Sequence, residues 1–197
     1  MKNILKILLL FLFIIPCNSF TRYEVTCNKQ LLQASQDSLY AQIGYIEKTN
    51  KNDGKQIEKY LKSVNLTKGN PYCAAGQYWC FSSACHDLGL SSSVIPIYKT
   101  GSTVKMFNIV KKKGLKSNIK VRKNDLIFWV LPNGINGHVE RIIKVKKAGW
   151  IETIGFNTSS GIIGDQRNGG GVYKRNRNLY HILGRMKVRG LIGFKNK

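Results

Sequence analysis

Apolar residues recur at helical spacing through the first part of the chain and at strand spacing through the second. Between Lys29 and Ile46, Leu31, Leu32, Leu39, Ile43 and Ile46 fall at rough helical intervals. Ile57, Tyr60, Leu61 and Val64 share one face of the segment Lys55 to Val64. The polar stretch Thr49-Asn50-Lys51-Asn52-Asp53-Gly54 separates the two, so residues 20–68 read as helical in two pieces. Asn52-Asp53-Gly54 faintly resembles a calcium loop, but too few carboxylates lie near it, and it reads as an ordinary turn. Pro71 then opens a third helix, from Tyr72 or Cys73 to Leu88, and Gly89 stops it.

Beyond Gly89 the pattern changes. An apolar run over 103–110 leads into a basic turn, Lys111-Lys112-Lys113. Asn124-Asp125 precedes a buried strand, Leu126-Ile127-Phe128-Trp129-Val130. His138 to Val145, Trp150 to Ile154, Val172-Tyr173 and Met186 to Phe194 read as further strands. Helices followed by a strand meander predict an α+β domain, with N-terminal helices packed on an antiparallel sheet or half-barrel. No internal repeat or interdomain linker is visible.

The N-terminus stands outside that pattern. Lys2 and Lys6 flank the start of an apolar run, Ile7 to Ile15, too short to span a bilayer comfortably. With Pro16-Cys17-Asn18-Ser19 after it, the stretch 1–19 reads as a secretory signal peptide cleaved after Ser19. The alternative is a lipoprotein acylated at Cys17, although Pro16 is a poor residue before the modified cysteine. The expected location is secreted or periplasmic, with no other transmembrane segment.

Charge and cysteine content refine this. The 197-residue chain carries a net charge of +22, and losing Lys2 and Lys6 leaves +20 (22 − 2). Such a charge favours polyanions, and export selects an anionic wall polymer over nucleic acid. The competing explanation is compositional bias, since the lysines are spread along the chain. Four cysteines follow the leader: Cys27, Cys73, Cys80 and Cys85. One disulfide plus one buried thiol would account for the three that are not reactive, with the pairing open. The spacing does not suit a metal site.

Cys73 carries the most chemistry. It falls at a helix N-terminus, where the helix dipole favours thiolate. Asn136-Gly137-His138-Val139 and Ile154-Gly155-Phe156-Asn157-Thr158 follow on later strands. Cys, His, Asn in that order is one arrangement of a thiolate hydrolase: nucleophile, proton carrier, ring orienter. Cys80, seven residues on, is mid-helix and reads as structural, as does Cys85. His86 and His181 read as structural or surface. Glu140 shares a strand face with His138 and is a reserve orienter, although a surface role fits it better. Glu152 is an outside candidate.

In Gly69-x-Pro71-Tyr72-Cys73-Ala74, the helix with Trp79, Asp125-Leu126-Ile127, Gly137-His138-Val139, Thr153-Ile154-x-x-Asn157-Thr158 and Arg167 to Arg177, the chain resembles the CHAP family. These are cysteine- and histidine-dependent amidohydrolases and peptidases of the papain-like, NlpC-type superfamily of wall hydrolases. Spacing adds to the likeness: 65 residues from Cys73 to His138 (138 − 73) and 19 to Asn157 (157 − 138). The resemblance covers residues 39–197 and leaves 20–38 as a lead segment. It implies a papain-like fold and a Cys73–His138–Asn157 site without metal or cofactor. It implies peptidoglycan as the partner and amide hydrolysis, as an amidase or endopeptidase, by a monomer. One departure stands out. Family members often carry Glu-Gly-Asn where this chain has Gly155-Phe156-Asn157, so the carboxylate at the first position is missing. A non-catalytic wall- or polyanion-binding module on the same fold is the alternative. An acyltransferase would want an apolar acyl-binding surface that the sequence does not offer.

Overall fold

The computed structural model describes residues 21–118, 120–160 and 170–197. The expected signal peptide and Cys17 lie outside the described residues. Four helices pack against a seven-stranded sheet, so the α+β class holds.

The chain opens with a strand rather than a helix. β1 (Arg22–Cys27) leads into α1 (Lys29–Tyr40), whose first turn is capped by Asn28 Oδ1 accepting from Leu31 N at 3.0 Å. α2 (Lys55–Ser63) and α3 (Cys73–Asp87) follow, and Gly89, at φ +63°, supplies the left-handed stop beyond α3. The run 103–113 is also helical rather than a lead into a turn. In α4 (Thr103–Lys113), Ser102 Oγ caps Lys105 N at 3.2 Å. Lys111, Lys112 and Lys113 fill its last turn, where cations suit the helix dipole.

The remaining strands are β2 (Leu115–Ser117), β3 (Leu126–Val130), β4 (Gly137–Val145), β5 (Trp150–Thr158), β6 (Gly171–Asn178) and β7 (Lys187–Asn196). Their order is β2-β1-β7-β3-β4-β5-β6. The sheet is mixed, not antiparallel throughout, because β1 runs parallel to β7 while the other pairings are antiparallel. Part of the expected lead segment is therefore built into the sheet. A buried ion pair ties it there: Arg22 Nε and Nη2 reach Asp125 Oδ2 and Oδ1 at 2.8 and 3.0 Å. Arg22 Nη1 adds Glu24 Oε1 at 2.6 Å.

Strand alternation divides the interior in two. Leu126, Phe128, Val139, Ile154 and Phe156 face the helices and pack with Leu31, Leu39, Tyr60, Phe81 and Met106. Ile127, Trp129, Ile142, Ile151 and Leu191 form a smaller cluster on the other face with Leu179 and Leu183. His138 and Glu140, four and two residues before Ile142, share that second face. α3 lies hard against the sheet: a Cβ at Gly76 would sit 2.2 Å from the Phe156 ring, which only glycine allows.

Candidate active site

Cys73 is the first residue of α3, and no side chain caps that helix end. The turn before it is fixed from behind. Tyr72 Oη donates to Glu47 Oε1 at 3.0 Å, and Glu47 Oε2 accepts Asn52 N at 2.8 Å. Asn52 in turn exchanges hydrogen bonds with Gly69, its carbonyl accepting from Gly69 N at 3.0 Å and its Nδ2 donating to Gly69 O at 3.3 Å. The Asn52-Asp53-Gly54 turn thus has a structural use: it anchors the segment that delivers the cysteine.

The thiol is 5% exposed, with Sγ 3.2 Å from Thr103 Oγ1 and 3.9 Å from Gly137 O. Burial alone would raise its pKa. The hydrogen bond and charge of His138, the Thr103 hydroxyl and the Ala74 N–H outweigh burial and bring it below the ordinary 9.0. For the other thiols burial wins, even though the charge of Arg141 favours the thiolates of Cys27 and Cys80. Burial pushes Cys80 up to about 12 and Cys27 up to about 11, and raises Cys85. All four are free thiols, so the expected disulfide is not formed.

His138, 3% exposed at the start of β4, stands between Cys73 and a carboxylate. Its Nε2 lies 3.1 Å from Glu140 Oε1, which leaves Nδ1 for the thiol. Burial works against a charged ring. The hydrogen bonds and charges of Cys73 and Glu140 overcome it and raise the His138 pKa to about 9. Glu140 has no exposed surface. Burial would raise its pKa, but His138 and Arg177 hold it well below the usual carboxylate range. Arg177 grips it with Nε on Oε2 at 3.0 Å and Nη2 on Oε1 at 2.6 Å, and Thr153 Oγ1 donates to Oε2 at 2.5 Å.

Of the three residues expected at the site, Cys73 and His138 are brought together. Asn157 makes no hydrogen bond to the ring among the described residues. It is buried at φ +52°, a left-handed position, and its Oδ1 accepts no hydrogen bond among the described residues. Glu140 makes the bond to Nε2 instead, and its expected surface role is overturned by burial. Glu152 is half-buried and paired with Lys146 at 2.7 Å, away from the histidine. His86 is solvent-exposed, and His181 packs edge-on against Trp150.

Arg177, Thr153 and Thr103 were not foreseen. Thr153 was legible by alternation, being two residues from Gly155 on the same strand face. Arg177 and Thr103 come from elements far along the chain, and only the fold brings them near. Among the described residues no group of three or more His, Cys, Asp or Glu side chains could hold a metal ion. No helix among them is long and apolar enough to cross a membrane. Compared with family models, curated proteins and solved structures, the chain finds no match in any of the three.

Proposed function

We propose that the protein is a cysteine hydrolase on a papain-like fold, exported to cleave amide bonds in peptidoglycan as an amidase or endopeptidase. The observation that carries this reading is the buried chain Cys73–His138–Glu140 at an uncapped helix N-terminus. Thiolate and imidazolium are stabilised there by groups already in position.

In this mechanism Cys73 Sγ attacks the amide carbonyl carbon, and the carbonyl π electrons move onto oxygen. The resulting oxyanion meets backbone N–H groups of the first turn of α3, which have no carbonyl partner within the helix. His138 gives its proton to the leaving nitrogen as the C–N bond breaks, leaving a thioester. Neutral His138 then takes a proton from water as the hydroxide adds to the thioester. Collapse of that second tetrahedral species releases the carboxylic acid and returns the thiolate–imidazolium pair. Glu140 stays ionised throughout, fixing the ring's tautomer and orientation.

The test is incubation of the protein lacking residues 1–19 with purified peptidoglycan. New amino groups should appear, and the Cys73→Ala variant should bind without releasing any. The structure of the released fragment separates amidase from endopeptidase. Protein with Cys73 intact that binds the wall and releases nothing would return the binding-module reading, which the +20 charge left after residue 19 (22 − 2) favours.

A further inference from the structure

The cage around the Glu140 carboxylate is built by other strands. Oε1 takes His138 Nε2 and Arg177 Nη2, while Oε2 takes Thr153 Oγ1 and Arg177 Nε. Thr153 is on β5 and Arg177 on β6. Gly155 is paired with Glu140 across β4 and β5. A Cβ placed on it would lie 2.7 Å from Glu140 Oε1, 2.9 Å from Cγ and 3.0 Å from Cδ. The carboxylate therefore fills the space that a side chain at 155 would enter. The absence of a side chain at 155 and the presence of Glu140 are one structural fact.

We propose that Arg177 is a positioning residue: with Thr153 it defines a carboxylate seat beside His138 that can be filled from position 140 or from position 155. This rests on the thiolate–imidazole reading above. A guanidinium suits the task because its planar fork engages both oxygens and fixes the carboxylate plane, which an ammonium does not. Glu140 reaches the seat over glycine. A glutamate at 155 would reach it from the facing strand, provided position 140 were emptied. Among the described residues the hydrogen bonds of Arg177 go to Glu140 and to Thr158 Oγ1, at 3.3 Å, so its route to Cys73 runs through the carboxylate.

The test reads Cys73 by iodoacetamide alkylation against pH, followed by mass spectrometry, and needs no substrate. The wild-type profile tests the Cys–His reading itself. A Cys73 that ionises like an unassisted thiol would end both that reading and this proposal. Given a low-pH thiolate limb in the wild type, Arg177→Gln should move it upward, with roughly tenfold slower labelling at pH 7, and Arg177→Lys should recover part of the loss. Glu140→Gly should lose the limb, and adding Gly155→Glu to that variant should restore it. The swap keeps Arg177, so it decides the matter even if Arg177→Gln fails to fold. A folded Arg177→Gln whose profile superimposes on wild type would overturn the proposal. So would a swap no better than Glu140→Gly alone.

Discussion

Thr103 Oγ1 lies 3.2 Å from Cys73 Sγ, so the first residue of α4 touches the first residue of α3 at its sulfur. Two helix N-termini converge on one sulfur, and each favours negative charge there. Thr103→Val keeps the shape and removes the hydroxyl. A hydrogen bond to a charged group contributes about 1.5–3 kcal/mol. Alkylation of Cys73 near neutral pH should therefore slow by roughly tenfold or more, with the melting temperature little changed. Unchanged labelling would mean that the hydroxyl spends its hydrogen bond elsewhere.

Labelling should discriminate among the four thiols. Cys73 is expected to react with iodoacetamide near neutral pH well before Cys27 and Cys80, whose pKa values are pushed up to about 11 and about 12. Peptide mapping of the folded protein checks this. Equal labelling of Cys73 and Cys80 would remove the case for a nucleophile.

Glu140→Gln and Asn157→Ala should part company. The amide at 140 no longer favours imidazolium, and it introduces a donor where His138 and Arg177 need an acceptor. Loss of the ring's orienting carboxylate has cost about 10⁴ in kcat in a serine protease, so a drop of at least a hundredfold on peptidoglycan is expected here. Asn157→Ala leaves the His138–Glu140 contact intact and should cost less than tenfold, measured as kcat on the same substrate. The reverse ranking would restore Asn157 as the orienter.

The pH dependence has a definite sign. Turnover needs charged His138 as the acid, so kcat should fall as pH rises through about 9. The same shift is a stability statement. A histidine raised from 6.5 to about 9 on folding contributes stability fully present below pH 6.5 and lost on the way up to about 9. Glu140, held below its unfolded value of 4.5, contributes stability present above that pH and lost as the medium becomes more acid. Urea midpoints measured across pH should decline on both sides, and Glu140→Gln should flatten the acid side.

Breaking the buried pair at the sheet's centre should be costly. Asp125→Ala leaves the Arg22 guanidinium, 1% exposed, without its bidentate partner. Stripping a buried ion of its partner destabilises by about 3–5 kcal/mol, and Glu24, still 2.6 Å from Arg22 Nη1, holds the loss to the lower end of that range or below. Equilibrium urea unfolding should show that loss, while replacing both residues with apolar ones of similar volume should recover much of it.

Local signals carried a good deal of this architecture. Pro71 and Gly89 bracket α3 because proline and glycine act within one turn, and Leu126–Val130 reads as β3 because its apolar run is unbroken. Asn124, just ahead of that strand, adopts φ +73°, a left-handed conformation that asparagine tolerates. β1 carries a strand signal, polar Arg22, Glu24 and Thr26 alternating with apolar Tyr23, Val25 and Cys27, but it is only six residues long and runs directly into the helical pattern of α1. α4 was hidden because its lysines looked like a turn. At the site, helix position and the glycine before the histidine mark Cys73 and His138. Choosing between Glu140 and Asn157 required knowing which of two acceptors on neighbouring strands lies beside the ring, and that depends on strand register and on Arg177 from a third strand.

The position of β7 bears on when the protein can exist as a folded object. Residues 187–196 follow the other six strands in the chain, yet their strand lies between β1 and β3 in the middle of the sheet. Until they emerge, β1 and β3 are bare edges with no neighbour between them, and the Arg22–Asp125 contact has no scaffold to span. A ribosome-bound chain ending before β7 is thus a sheet in two halves. Cys73 on α3 and His138 on β4 gain their rigid frame only once β7 has joined β1 to β3.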